Sequence, residues 1–127
     1  MPIIGLGVDI VETSRIADLL GEYPERFLER CFTPGEQEDS KSPKRRSEHL
    51  AARFAAKEAA LKALGTGWSK GIGWTDIEVI KDIAGKPSLN ITGRAKEIAS
   101  EQGITKWHLS LSHISTHAVA SVIAESE

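Results

Sequence analysis

The chain has 127 residues, enough for one domain burying roughly two-thirds of its unfolded surface. Hydrophobic residues make up 40% and charged residues 27%, with a net charge of −2, ordinary values for a soluble globular protein. No apolar run is long enough to cross a bilayer, Met1-Pro2-Ile3-Ile4-Gly5 lacks the features of a signal peptide, and Cys31 alone excludes an intrachain disulfide framework, so a cytoplasmic protein is expected.

Ile3 to Val11 alternates as a strand, with Ile4, Leu6, Val8 and Ile10 on one face and Gly5, Gly7 and Asp9 on the other. Glycines weaken a strand and often mark a close approach by backbone or ligand, so Asp9 follows two bare positions near the strand's end. Thr13 or Ser14 caps a short helix carrying Ile16, Leu19 and Leu20, with Gly21 as its stop. Pro24 opens another, placing Phe27, Leu28 and Cys31 inward and Glu25, Arg26, Glu29 and Arg30 outward. Thr33-Pro34-Gly35-Glu36 is a capping-box signal with proline at the first helical position. The polar run Gln37 to Ser42 interrupts that helix before a long one from Pro43 to Leu64.

The long helix carries an apolar stripe of Leu50, Phe54 and Leu61. Glu58 lies four residues after Phe54 and three before Leu61, so it points along the same stripe, flanked by Lys57 and Lys62. A carboxylate there is costly to bury unless a cation or hydrogen-bond donors meet it. Alone, it reads most simply as an inward glutamate satisfied by a neighbouring lysine. Upstream, Lys41, Lys44, Arg45, Arg46, Arg53 and Lys57 are opposed only by Glu48. Such a patch on an acidic chain points to a specific anionic ligand more than to broad nucleic-acid affinity; on charge alone, a solvated helix start explains it equally well.

Gly65 ends the long helix and opens Gly65-Thr66-Gly67-Trp68-Ser69-Lys70-Gly71-Ile72-Gly73, which matches neither a Walker A nor a dinucleotide fingerprint. Such a segment can wrap phosphate through backbone N–H groups, although an ordinary mobile loop is the simpler reading. Trp74 to Ile80 reads as a strand, Ala84-Gly85-Lys86-Pro87 as a turn and Leu89 to Thr92 as a short strand. A helix from Arg94 to Glu101 ends at Gly103, and strands Trp107 to Ser112 and Ala118 to Ala124 follow. Trp107, Leu109, Leu111 and His113 share one face; alone, such a histidine is more often a structural hydrogen bonder than a functional group. This order predicts one α+β domain over residues 1–127, a largely antiparallel sheet packed by one long and several short helices.

Asp9 on a strand and Glu58 on a helix could converge on one hard divalent cation. Magnesium prefers few carboxylates, keeps waters and takes its remaining oxygens from substrate phosphates. The nearby lysines, arginines and His113 are what a polyphosphate ligand requires. A carboxylate could also deprotonate an attacking hydroxyl, directly or through metal-bound water. The implied class is phosphoryl-type transfer with magnesium, and the residues alone do not name the substrate.

Gly5-Leu6-Gly7-Val8-Asp9-Ile10-Val11-Glu12 followed by Arg15-Ile16 resembles the opening motif of the holo-acyl-carrier-protein synthases, the short 4′-phosphopantetheinyl transferases. Arg53-Phe54-Ala55-Ala56-Lys57-Glu58-Ala59, running into Lys62-Ala63-Leu64-Gly65-Thr66-Gly67, resembles that family's central motif, and Ser110-Leu111-Ser112-His113 its third. Phe27 to Pro34 and Gly71 to Val79 also fit, so the resemblance covers nearly the whole chain in order. It implies transfer of 4′-phosphopantetheine from coenzyme A to a serine of apo-acyl-carrier protein, with release of adenosine 3′,5′-bisphosphate, in fatty-acid biosynthesis. Asp9 and Glu58 match the family's magnesium ligands, with Glu58 or a metal-bound water taking the serine proton. Lys62 would contact the pyrophosphate, Arg53 and His113 would hold the nucleotide's phosphates, and Gly65, Thr66 and Gly67 would lie beside the same ligand. Arg15 and Arg26 match positions that meet the acidic carrier protein. The resemblance further implies a homotrimer with interfacial coenzyme A sites, in which Lys44 to Arg46 serve a neighbour. Neither nucleic acid nor membrane is expected as a partner.

Two rival readings remain from the residues. A nonenzymatic coenzyme A or nucleotide sensor would not need Asp9 and Glu58 as a pair, and a magnesium-dependent hydrolase would cleave coenzyme A without a carrier protein.

Overall fold

The computed structural model describes residues 2–127. Strand β1 (Ile3–Glu12) leads into helices α1 (Thr13–Glu22), α2 (Pro24–Cys31), α3 (Pro34–Asp39) and the long α4 (Arg46–Leu64). A 3₁₀ turn (Trp74–Asp76) precedes β2 (Ile77–Lys81), β3 (Pro87–Ile91), α5 (Gly93–Glu101), β4 (Lys106–His113) and β5 (His117–Glu125). The strands form two antiparallel sheets rather than the one expected: a three-stranded sheet in the order β1-β5-β4 and the hairpin β2-β3. The α+β class holds.

Helix α4 is buried on nearly every side, because alanines at 51, 52, 55, 56, 59, 60 and 63 let it sink against the three-stranded sheet. The closest approach is to β1. A Cβ at Gly7 would lie 1.8 Å from the Ala59 carbonyl oxygen, and one at Gly5 would lie 1.9 Å from that of Ala63. The bare strand positions thus mark backbone-on-backbone packing, one of the alternatives their spacing raised. The apolar alternation of β1 faces outward instead. Leu6 and Ile10 are 66% exposed, and they pair across β5 with half-buried Ile123 and Val119. Together they form an apolar outer face on the sheet.

Four local expectations need correction. Helix α4 begins at Arg46, not Pro43, because the Arg45 N–H closes a turn onto the Ser42 carbonyl first. Helix α1 runs through Gly21 to Glu22, and Thr13 does not cap it; its hydroxyl donates to the Ser115 carbonyl, tying α1 to the β4–β5 turn. Trp74 to Asp76 coil because the Asp76 carboxylate accepts the Gly73 N–H, so that strand starts only at Ile77.

The fourth concerns the inward acid, which is Glu36 and not Glu58. The Thr33–Glu36 capping box forms as expected, yet Glu36 is fully buried and also accepts from the Lys57 ammonium at 2.8 Å and the Val79 N–H at 2.9 Å. Lys57, equally buried, donates in addition to the carbonyls of Trp74 and Ile77. Burial holds its pKa below the ordinary lysine value, opposed by the Glu36 charge. Every donor of that ammonium has an acceptor, so one ion pair fastens α3, α4 and β2.

Candidate active site

Glu58 is only half-buried. Its Oε1 accepts from Trp68 Nε1 at 3.1 Å, a partner that no helical spacing announces because Trp68 belongs to the glycine-rich loop. One helical turn on, the Lys62 ammonium reaches over β1, donating to Asp9 Oδ1 at 3.1 Å and to the Val8 carbonyl at 2.9 Å. Lys62 therefore meets Asp9 where the C-terminal half of α4 crosses β1, an edge strand, and Glu58 lies one helical turn before Lys62. Gly65, Thr66 and Gly67 follow from that end of the helix. Gly65 takes the left-handed conformation, φ +77°, that closes α4, and the Thr66 and Ser69 hydroxyls fold the loop onto itself.

Among the described residues, Asp9 Oδ2 and Glu58 Oε2 have no hydrogen-bond partner. Two half-engaged carboxylates suit a hard divalent cation that takes its other oxygens from ligand and water. No three His, Cys, Asp or Glu side chains among the described residues group as a metal site, so the two acids would act without a third protein ligand of those types.

Arg53 and His113 lie elsewhere. On an ideal helix Arg53 is about 180° around the axis and ~13 Å along it from Lys62, so the two point to opposite sides of α4. Arg53 and His113 line a cleft of about 230 Å³ beside β4, with His49, Lys81, Gly85 and Pro87. The Arg53 guanidinium is 1% exposed and donates to the His49 carbonyl at 3.0 Å. Among the described residues its Nε and Nη2 have no hydrogen-bond partner, and the nearest acid, Asp39, stands 3.9 Å from Nη2. Burial lowers its pKa, offset in part by Asp39 and Glu36. Buried N–H groups without acceptors, set beside Lys81, await an anion. Glu48 Oε1 meets His113 Nδ1 at 3.0 Å and fixes the ring. His49, missed in the sequence although it sits one turn before Arg53, has its pKa lowered by burial, then by the charges of Arg53, Lys81 and His113. Lys44 to Arg46 span the turn into α4, where the Arg45 carbonyl accepts from the His49 N–H one turn on. The residues expected at one nucleotide site thus fall into two groups on opposite edges of the chain.

Arg15 is not merely solvated: its guanidinium lies 5.3 Å from the centroid of the buried Phe54 ring. From Phe54, rings continue to Trp74 (4.7 Å) and Trp68 (3.8 Å), linking α1 to the partner of Glu58. Arg26 borders a shallow cleft of about 160 Å³ with Arg30, Leu19, Tyr23 and Phe27. That cleft has two arginines at its rim and an apolar floor, while Asp18, Glu22, Glu25 and Glu29 are exposed on the same two helices.

Residues 5–122 match the family model of the 4′-phosphopantetheinyl transferase superfamily. The chain is 53% identical over 123 residues to a holo-[acyl-carrier-protein] synthase of Trichlorobacter lovleyi, covering 97% of this chain and 98% of that one. Its structure resembles the Bacillus anthracis holo-(acyl-carrier-protein) synthase in complex with CoA (3′,5′-ADP), with TM-score 0.81, 40% identity and 98% of each chain covered. It also resembles the Helicobacter pylori enzyme in complex with coenzyme A, with TM-score 0.84 and 32% identity over 94% of this chain and 99% of that one. The chain belongs to the 4′-phosphopantetheinyl transferase superfamily, among its holo-acyl-carrier-protein synthases.

Proposed function

We propose that this chain moves 4′-phosphopantetheine from coenzyme A to a serine hydroxyl of apo-acyl-carrier protein, releasing adenosine 3′,5′-bisphosphate, in cytoplasmic fatty-acid biosynthesis. The observation that carries the reading is the contact of Lys62 with Asp9 at one edge of the sheet, with Glu58 one helical turn before Lys62 and a carboxylate oxygen to spare on each acid. Asp9 and Glu58 would hold magnesium, which when bound offsets charge on the pyrophosphate under attack. Lys62 orients the pyrophosphate by exchanging its contact with Asp9 for a phosphate oxygen. A carboxylate oxygen of Glu58 would accept the serine proton. Arg53 and His113, with His49 and Lys81, hold the nucleotide's phosphates, and Gly65, Thr66 and Gly67 flank the ligand.

These two groups lie on opposite edges of one chain, so a single ligand meets both only where copies associate. The apolar outer face built on Leu6, Val8 and Ile10 supports a homotrimer, with Asp9, Glu58 and Lys62 of one subunit facing Arg53, His113 and Lys44 to Arg46 of another. Arg15, Arg26 and Arg30 would each pair with acids of the carrier protein, and the aromatic row from Phe54 to Trp68 connects Arg15 to the partner of Glu58.

Intact-mass spectrometry of apo-acyl-carrier protein incubated with the chain, coenzyme A and magnesium tests this reading, with EDTA as control. The expected result is a gain of one phosphopantetheine that EDTA abolishes. Coenzyme A binding without transfer would make the chain a sensor, and coenzyme A breakdown without transfer a hydrolase.

A further inference from the structure

Trp68 stands apart from the motif residues that carry the reaction. Its loop turns back sharply through Gly67, φ +60°, and its indole N–H meets Glu58 ten residues earlier in the chain. The indole is fixed from behind: Trp74 stacks on it with ring centroids 3.8 Å apart, and Phe54 supports Trp74 at 4.7 Å. The backbone of Trp74 is held in turn, since its carbonyl accepts from the buried Lys57 ammonium at 3.1 Å. Lys57 is the immediate neighbour of Glu58 on α4. One closed circuit therefore runs from Glu58 through Trp68, Trp74 and Lys57 back to Glu58.

A glutamate at a half-exposed helical position has three side-chain torsions, and the last is broad. A donor on Oε1 fixes the carboxylate plane and leaves Oε2 open. We propose that Trp68 is a positioning residue for Glu58, setting the open oxygen of the carboxylate toward the divalent-ion site shared with Asp9. The proposal rests on Glu58 being an ion ligand, as argued above. A donor that merely anchored the glycine loop would leave ion affinity unchanged.

Three proteins are compared with coenzyme A present: the wild type, W68F and E58Q. Manganese binding is read from the electron paramagnetic resonance signal of the free ion. W68F keeps an aromatic face for Trp74 and loses only the N–H donor and the second ring. Its manganese affinity is expected to fall on the order of tenfold, the usual consequence of removing a group that orients a metal ligand. E58Q should lose the ion. Unchanged affinity in W68F with loss in E58Q overturns the role of Trp68 and leaves Glu58 as ligand. Unchanged affinity in E58Q removes Glu58 as ligand, and the positioning role with it. A measurement on the unmutated chain runs alongside: it has three tryptophans, and Trp68 is identified by the indole resonance missing from W68F or, if that variant does not fold, from W68Y. Manganese with coenzyme A should broaden the Trp68 indole N–H resonance before that of Trp107. Simultaneous broadening of the two overturns the proposal.

Discussion

Substituting alanine for Gly7 tests the packing on which the site depends. The added Cβ would meet the Ala59 carbonyl oxygen at 1.8 Å, against 3.4 Å for the onset of ordinary contact, so strand and helix must part by about 1.6 Å. The obstacle is helix backbone, held by its own hydrogen bonds, so no side chain can rotate away. Inserting an extra carbon into a well-packed interior typically costs 1–3 kcal/mol, and this contact belongs at or above ~3 kcal/mol. Chemistry should suffer more than stability. Asp9 lies two residues beyond Gly7, and Lys62, which meets it at 3.1 Å, three beyond Ala59. A shift near 1 Å in a catalytic array can cost ~100-fold in rate. Urea denaturation measures the first effect, and intact-mass transfer kinetics under folding conditions measure the second. A G7A protein within ~1 kcal/mol of the parent and transferring at the parental rate would refute the close approach and its link to the site.

Other consequences can be checked independently. K57M leaves the Glu36 carboxylate buried without its cation and should cost ~3–5 kcal/mol in urea denaturation; a loss below ~1 kcal/mol would contradict the buried network. His49 has its pKa depressed below the ordinary 6.5, so at pH values near and below 6.5 the unfolded chain takes up its proton before the folded one. Stability should therefore fall as pH drops through that region, and the fall should be shallower in H49Q; parallel profiles would reject the assignment. E58Q and H113A, each defective alone, should complement when unfolded together and refolded as a mixture, because some interfaces then pair two intact halves, about a quarter in a random assembly. No recovery in mixtures shown to contain both chains would put Glu58 and His113 to work in the same subunit.

Much of this was legible in the sequence because it is local. The capping box at Thr33, the left-handed stop at Gly65 and the inward face from Trp107 to His113 each follow from neighbouring residues and recur in the fold. Gly5 and Gly7 signalled a close approach, but only the packing of α4 identified the partner as a helix backbone. Glu58 was misjudged because the helix is buried all round, where a stripe argument loses its power, and because its partner comes from a loop. Glu36 escaped notice since a capping box accounts for one carboxylate oxygen and does not reveal a lysine 21 residues away. The separation of Arg53 and His113 from Lys62 was unreadable from the residues themselves, because it depends on β1 and β4 being the outer strands of the sheet.

The outward alternation of β1 has a consequence in mass action. Leu6, Val8 and Ile10 lie open in a lone chain, and the proposed homotrimer would cover them. Association that covers them stabilises the folded form in proportion to the logarithm of chain concentration, so melting temperature should rise on concentrating the protein. In that proposal the same association assembles the two halves of the ligand site. Turnover per chain would then be a property of the solution as well as of the molecule: it should fall on dilution, when every residue needed for catalysis is still correctly folded and no longer has a neighbour to face.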